Sequence, residues 1–223
     1  MSARSKLLFL VSGGLVLLAA CASTRSQPVS EWDGLVRQRS TRLGALFVKP
    51  DAEIAGYRDV VLDPVEVSFA RNWDPNRGGR GPGRRLNATD VEAIQTRLAD
   101  MFREIFTAEL GRAGYQIVDQ AGPDTLRIRA AIVDLYVTAP DPMPAGRVRT
   151  YTANSGRMTL VLEVSDSVTD EILARAVDTR TGRASGTWTV TNRGTNTADA
   201  RRAIAAWASG LRQALDELYG RGA

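Results

Sequence analysis

The residue with the clearest chemistry in this chain of 223 residues is its single cysteine, Cys21. It closes the stretch Leu18-Ala19-Ala20-Cys21, which follows a short basic head and an apolar run at residues 7–18. That order predicts the lipobox of a bacterial lipoprotein, in which the Cys21 thiol accepts a diacylglycerol and the peptide is cut before it. The alternative is an ordinary secretory signal that contains a cysteine. The agreement of basic head, apolar core and small-residue site favours lipidation.

Lipidation would place this chain at a membrane surface. The apolar run is too short to span a bilayer, which takes about 20 residues. Each buried methylene contributes about 0.8 kcal/mol, so two or three acyl chains hold firmly where one is marginal. The residue after the cysteine is Ala22 rather than Asp. We therefore expect anchoring at the outer rather than the inner membrane, with the domain in the periplasm.

Charge and chain length limit the kinds of function and the number of domains that this protein can have. Loss of Arg4 and Lys6 with the signal leaves 27 basic against 25 acidic residues, and this near balance gives no indication of nucleic-acid binding. We divide the chain into a signal peptide at 1–20, a lipidated tether and N-terminal extension at 21–50, and a periplasmic domain at 51–220. The chain length suits one domain with a real core.

A second candidate site is a loop rich in glycine and arginine. Its cationic residues, with no acidic residue between them, are Arg77, Arg80, Arg84 and Arg85. Arginine forks grip phosphate in a bidentate manner, so the loop could bind an anionic glycolipid, phospholipid headgroup or envelope polymer. A solvated connector is the plainer interpretation, and we favour it.

A third possible chemistry of this chain is catalysis. The chain has no histidine, which excludes a Ser-His-Asp triad and most zinc sites, and no motif predicts a metal or cofactor. Paired carboxylates can cleave glycans, and the candidates are Glu163, Asp166, Asp170 and Glu171. Since three of these lie at a predicted hairpin turn, where Asp serves turn geometry, we predict that the protein is not an enzyme.

Two helices and a set of strands must position these residues. A stripe from Val91 to Ile105, with Thr89 and Glu92 as a capping box and glycines after residue 110, predicts a helix over about 90–112. A second stripe around Trp207, which we expect in the core, predicts a helix from about Thr197 to Gly220.

Alternating apolar residues predict strands over 59–69, 126–137, 157–165 and 172–178. Pro64 argues for an edge position or a bulge in the first strand. A change of alternation near Asp134 predicts a bulge in the second. Together the elements predict an α+β fold: a mostly antiparallel sheet with two amphipathic helices packed on one face. A Pro-rich loop over 139–154 carries Met143 and Tyr151, which are candidate partner contacts, although a loop that covers a sheet edge is the simpler interpretation.

The motifs that carry a family resemblance are Trp32-Asp33-Gly34-Leu35, Phe47-Val48-Lys49-Pro50, residues 156–163, residues 169–174 and Trp207-Ala208. They resemble the bacterial lipoproteins grouped as domain of unknown function 3313, over nearly all of the chain after the signal. Asp170 departs from the pattern, which favours Gly in that turn. The resemblance implies an envelope lipoprotein and brings no catalytic residues. We expect a binding or accessory component of the envelope, anchored by lipid, with a protein partner or an anionic glycolipid.

Overall fold

The computed structural model describes residues 30–52, 54–74, 76, 86–137, 150–152, 156–182, 189–191 and 193–218. The elements in these ranges are β1 (Glu31–Trp32), β2 (Leu35–Gln38), β3 (Ala45–Val48), β4 (Asp59–Leu62), β5 (Glu66–Phe69), α1 (Ala88–Arg112), β6 (Gln116–Val118), β7 (Thr125–Val137), β8 (Thr150–Thr152), β9 (Gly156–Asp166), β10 (Ile172–Thr181), β11 (Thr189–Thr191) and α2 (Arg193–Leu218). None of the helices described is long and apolar enough to cross a bilayer.

The main sheet has the order β1-β2-β3-β10-β9-β7-β4-β6, with β5 also paired to β7, and β8 pairs separately with β11. The predicted α+β class is confirmed. The sheet is mixed rather than mostly antiparallel, because β4 runs parallel to both β6 and β7, and β5 runs parallel to β7. Parallel pairs need a crossover connection, and α1 lies between β5 and β6.

The N-terminal extension is part of this sheet. β1, β2 and β3 continue it beyond β10, and Leu35, Leu43 and Leu46 are buried. The folded sheet thus begins at Glu31, within the stretch of 21–50 that the sequence assigns to tether and extension.

One core holds the domain together. It joins both helices to the face of the sheet that carries Ile128, Leu160 and Ala176, which we call the inner face; the opposite face is the outer face. Trp207 is fully buried in this core, as predicted. Burial of each large apolar side chain contributes about 1.5–3 kcal/mol, and the fully buried group includes Trp207, Phe102, Phe106, Leu126, Ile132 and Leu162.

Pro64 interrupts the predicted strand over 59–69. Leu62 pairs with Ile128 and Glu66 pairs with Ala131. The chain therefore advances four residues from β4 to β5 while β7 advances only three, which leaves one extra residue at Pro64. The predicted bulge is confirmed. Its extra residue reverses the alternation: Val60 and Leu62 lie in the core before Pro64, and Val65 and Val67 pack against that core after it.

The predicted bulge near Asp134 is also confirmed. Asp134 has a φ of 51°, and the register of β7 against β9 shifts between Val133 and Tyr136. The bulge returns Leu135 to the core after Ile132. Opposite it, Gly156 has a φ of 149°, and a Cβ there would lie 2.4 Å from the Tyr136 carbonyl oxygen. Only glycine suits that position.

Both helices begin earlier than predicted. The α1 cap is Asn87, whose side chain accepts from Asp90 N at 2.9 Å, while the Asp90 carboxylate accepts from Asn87 N at 3.0 Å. This reciprocal pair occupies the cap that we had assigned to Thr89 and Glu92, so Thr89 lies inside the helix. Likewise, α2 starts at Arg193 rather than near Thr197.

Candidate functional site

Most of the predicted site residues lie outside the part of the chain that the structure describes. These are Cys21, Arg77, Arg80, Arg84, Arg85 and Met143. Tyr151 contributes backbone to β8 through its pairing with Val190, and nothing is described of its side chain. The hypotheses about these residues therefore remain predictions.

The described residues do fix where the Arg-rich stretch joins the fold. The chain enters it at Asn76 and leaves it at Leu86, and two hydrogen bonds join these residues: Asn76 Nδ2 to the Leu86 carbonyl at 3.2 Å and Leu86 N to Asn76 Oδ1 at 3.0 Å. Nearby, Trp73 stacks on Phe69 and donates its indole N–H to the Val137 carbonyl at 3.0 Å. Both ends of residues 77–85 are thus held beside the end of β7.

A groove of about 270 Å³ opens at that same end of the sheet. The middle turns of α1, the first turns of α2 and the ends of β7, β9 and β10 enclose it. Its apolar lining consists of Ile94, Leu98, Met101, Leu135, Val137, Met158 and Ala200. This volume is near the lower end of small-molecule pockets, and the lining suits an apolar ligand.

Local sequence explains why a groove forms here. The Asp134 bulge turns the end of β7, and Gly156 lets the start of β9 lie directly against it. The inner face therefore ends in a bent rim rather than in a flat ladder. The helices pack closely farther along, where Arg212 of α2 bonds Glu109 of α1 at 2.9 Å.

Charged groups form the rim of the groove. Arg201 pairs with Glu104 at 3.0 Å across the two helices, and Arg157 is exposed at the start of β9. The hydrogen bond and charge of Arg201 lower the pKa of Glu104 from its ordinary value. An apolar floor with a charged rim can hold a ligand that has an apolar part and a polar head.

All four carboxylates weighed for glycan cleavage have partners. Glu163 meets Arg175 at 3.1 Å and Arg129 at 3.5 Å, Asp170 meets Arg129 at 2.7 Å, and Glu171 pairs with Lys49. Side-chain hydrogen bonding to Asp170 raises the pKa of Arg129. These pairs lie on or beside the outer face.

Asp166 organises the turn between β9 and β10. It accepts from Thr169 N at 2.7 Å, Val168 N at 2.9 Å and the Tyr57 hydroxyl at 2.8 Å. The Thr169 N–H bond is the largest cause that holds the pKa of Asp166 below its usual value, and the Tyr57 and Val168 bonds act in the same direction. A general acid needs a raised pKa, so this geometry fits a turn.

The structure reveals one buried polar centre that the sequence analysis missed. Asp178, only 8% exposed, accepts from Trp207 Nε1 at 2.8 Å and from Gly44 N at 2.9 Å, and it pairs with Arg180. The only signal in the sequence was that the buried Trp207 indole needs an acceptor. The sequence analysis also missed the groove, because the helical spacing of Ile94, Leu98 and Met101 predicts only a helix face that packs against the core.

No group of three or more Cys, Asp or Glu among the described residues is placed to hold a metal ion.

Comparison with known proteins places the chain in a family. No curated protein matches it. Among solved structures it is similar to the PelC dodecamer from Paraburkholderia phytofirmans, with 14% identity, 75% of this chain and 96% of that chain covered and a TM-score of 0.39. It is also similar to a minor lipoprotein from Acinetobacter baumannii, with 11% identity, 74% and 95% covered and a TM-score of 0.36. The family described as protein of unknown function, DUF3313, matches residues 24–211. The resemblance seen in the sequence is thereby confirmed, and the chain belongs to the DUF3313 family.

Proposed function

We propose that this protein is a non-enzymatic binding component of the bacterial cell envelope, held at the outer membrane by lipid on Cys21. Its periplasmic domain takes up the apolar part of another envelope component in the groove. The lipobox at residues 18–21 supports the anchor. The apolar groove between the helices and the bent end of the sheet is the observation that carries the binding role.

The carboxylates support a non-enzymatic role. Glu163, Asp170 and Glu171 pair with Arg or Lys, and Asp166 accepts hydrogen bonds that favour its charged form. Glycan hydrolysis needs one carboxyl group that stays protonated near neutral pH. The turn bonds of Asp166 lower its pKa and favour its ionised state instead.

Filling the groove tests the binding role. Ala200 lines the groove on α2, whereas Ala205 lies on the exposed side of the same helix. We expect the mature polypeptide from Ala22 onward to enhance the fluorescence of the neutral apolar probe N-phenyl-naphthylamine. Ala200→Phe should abolish the enhancement, and Ala205→Phe should leave it unchanged.

Thermal melts of both variants are measured beside the probe titration. They show whether a loss of probe binding results from unfolding rather than from a filled groove. Equal probe binding by wild type and Ala200→Phe, with both folded, would remove the groove from the proposed function. Equal loss in both variants would point to nonspecific surface binding.

Anchoring has its own test. Cys21→Ser should abolish incorporation of labelled palmitate and release the protein from the membrane fraction, because no other cysteine is present. Cys21→Ala serves as the matched control and should behave identically. Label retained by either variant would contradict the lipobox interpretation.

A second candidate function is binding of an anionic envelope polymer or lipid through Arg77, Arg80, Arg84 and Arg85. The hydrogen bonds that fix Asn76 to Leu86 place the ends of this stretch beside the groove, which favours it. Exposed charges are screened over about 8 Å at physiological ionic strength. Retention of the mature polypeptide on lipopolysaccharide should therefore fall steeply with salt. Replacing all four arginines by Ser should remove that retention without changing the melt.

A further inference from the structure

The size and floor of the groove suit one flexible apolar chain. Its volume of about 270 Å³ lies just below the range of pockets that enclose drug-sized ligands, about 300–1,000 Å³. Met101 and Met158 are buried in its floor, and the unbranched methionine side chain adapts to neighbours of different shape. The groove therefore has room for a single chain, and its floor can adjust to that chain.

Charged side chains line the groove from both the helices and the strands. Among the described residues they are the basic residues Arg97, Arg157, Arg180 and Arg201 and the acidic residues Asp100, Glu104 and Asp199. Arg201 of α2 pairs with Glu104 of α1 at 3.0 Å. Asp199 pairs with Arg202, one turn farther along α2. The charges of the first turns of α2 are therefore neutralised by partners on the helices themselves.

The strands, by contrast, contribute only positive charge to the groove. Arg157 lines it from β9 and Arg180 from β10, and no described acidic residue lines it from a strand. On α1 the two remaining charges, Arg97 and Asp100, are opposite in sign and lie three positions apart, so they offset each other. The groove is therefore close to neutral along its helices and positive along its strands.

Arg180 is the cation best placed to bind a polar head. Its Nε donates to the carboxylate of Asp178, and its Nη2 donates to the Arg42 carbonyl. Its Nη1 forms no hydrogen bond with any described residue, and the side chain is 35% exposed. The Asp178 carboxylate also accepts from Trp207 and Gly44. An arginine held in this way keeps N–H donors for a ligand, and such donors bind carboxylate and phosphate oxygens strongly.

We propose that the groove binds a single-chain amphiphile with an anionic head, a carboxylate or a phosphate. The head accepts hydrogen bonds from Arg180, and the chain lies on the apolar floor. This inference rests on the proposed binding function and names its ligand class. A neutral head would gain no ion pair in the groove, and a cationic head would be repelled by Arg157 and Arg180. No covalent step is involved.

Displacement of N-phenyl-naphthylamine from the mature polypeptide tests the head group. Competitors of matched chain length carry different heads: dodecanoate, dodecyl phosphate, neutral dodecanol and cationic dodecyltrimethylammonium, all below the concentrations at which they form micelles. We expect an anionic competitor to displace the probe at a concentration at least about tenfold lower than dodecanol, the factor that one hydrogen bond to a charged group supplies. The cationic competitor should act no better than dodecanol. The more potent of the two anions identifies the head as carboxylate or phosphate.

Arg180→Gln tests the residue and should abolish the preference for anionic competitors over dodecanol. Arg175→Gln is the matched control, because Arg175 lies on the same strand in an ion pair with Glu163 but on the outer face, and it should keep the preference. The preference is a ratio measured within one variant, and thermal melts check that each variant is folded. If Arg180→Gln does not fold, Arg180→Lys takes its place. Lysine keeps the charge without the planar fork, so it should reduce the preference.

Equal displacement by anionic and neutral competitors overturns the inference, and so does an undiminished preference in the Arg180 variant. If the wild type still binds the apolar probe in either case, the proposed function stands with another ligand, such as an apolar segment of a partner protein. A folded wild type that does not bind the probe contradicts the proposed function itself, and the inference with it.

Discussion

Two carboxylate–arginine clusters lie on opposite faces of β10 and differ in what surrounds them. On the inner face, Asp178 is buried. It accepts hydrogen bonds from Trp207 and Gly44 and forms an ion pair with Arg180. On the outer face, Arg175 meets Glu163 at 3.1 Å and lies over the Trp32 ring at 4.8 Å, while water reaches much of the cluster.

The comparison shows that ion pairs cannot be ranked by distance alone. The outer cluster has good geometry, with Arg175 to Asp33 at 2.5 Å and Arg129 to Asp170 at 2.7 Å. Both aspartates are nevertheless more than 60% exposed, and exposed pairs contribute about 0–1 kcal/mol. Loss of the inner carboxylate would instead leave donors unpaired inside the core, at a cost of about 1–3 kcal/mol.

The largest loss of stability is expected from a change on the inner face. Trp207→Ala removes a fully buried aromatic ring and should lower the free energy of unfolding by about 3–5 kcal/mol. Arg202→Ala, on the exposed side of the same helix, should change it by less than about 0.5 kcal/mol. Denaturant melts of the mature polypeptide measure both. Equal, small effects would mean that α2 is not docked.

Asp178→Ala should come next, with a loss of about 1–3 kcal/mol, because the Trp207 and Gly44 N–H donors keep no acceptor. The same melts give the value. Trp207→Phe combined with Asp178→Ala should cost less than the sum of the two single changes, since the indole donor is then absent. Strict additivity in this cycle would show that the indole bond contributes nothing.

Asp166 should give a smaller and pH-dependent effect. Its hydrogen bonds lower its pKa in the folded state, so its contribution is complete above the unfolded value of about 3.9 and is lost as the pH falls through the folded value. Asp166→Asn keeps most of the turn bonds and should remove that acid-sensitive part. Wild type and variant melts should therefore converge as the pH falls below about 4, and parallel curves would contradict the assignment.

The smallest effect is expected on the outer face. Asp170→Asn removes the 2.7 Å pair with Arg129, yet the free energy of unfolding should change by less than about 1 kcal/mol and the change should shrink in salt. Asp33→Asn gives a matched measurement at the Arg175 pair. A loss as large as that of Asp178→Ala would erase the distinction between the two faces.

Local signals located most elements and two irregularities, the bulges at Pro64 and Asp134. The period of Leu98, Met101 and Phe102 predicted α1, and the change of alternation at Asp134 predicted the bulge, because both patterns come from side chains that must reach the same core. The α1 cap was misplaced by two residues. Asn87 and Asp90 satisfy the same spacing rule as Thr89 and Glu92, and the sequence alone does not rank the two.

The sequence by itself determined the α+β class, the family resemblance and the burial of Trp207, since each depends on short patterns of residue type. The lipid anchor at Cys21 stays a prediction. Only the tertiary structure decided the parallel pairing of β4 and β5, the shift of faces at Pro64, the acceptor role of Asp178 and the groove between the helices and the bent end of the sheet. These features join residues far apart in the chain, and hydrophobic periodicity states that a side chain is buried without stating which neighbour buries it. Strand order and packing supply that information.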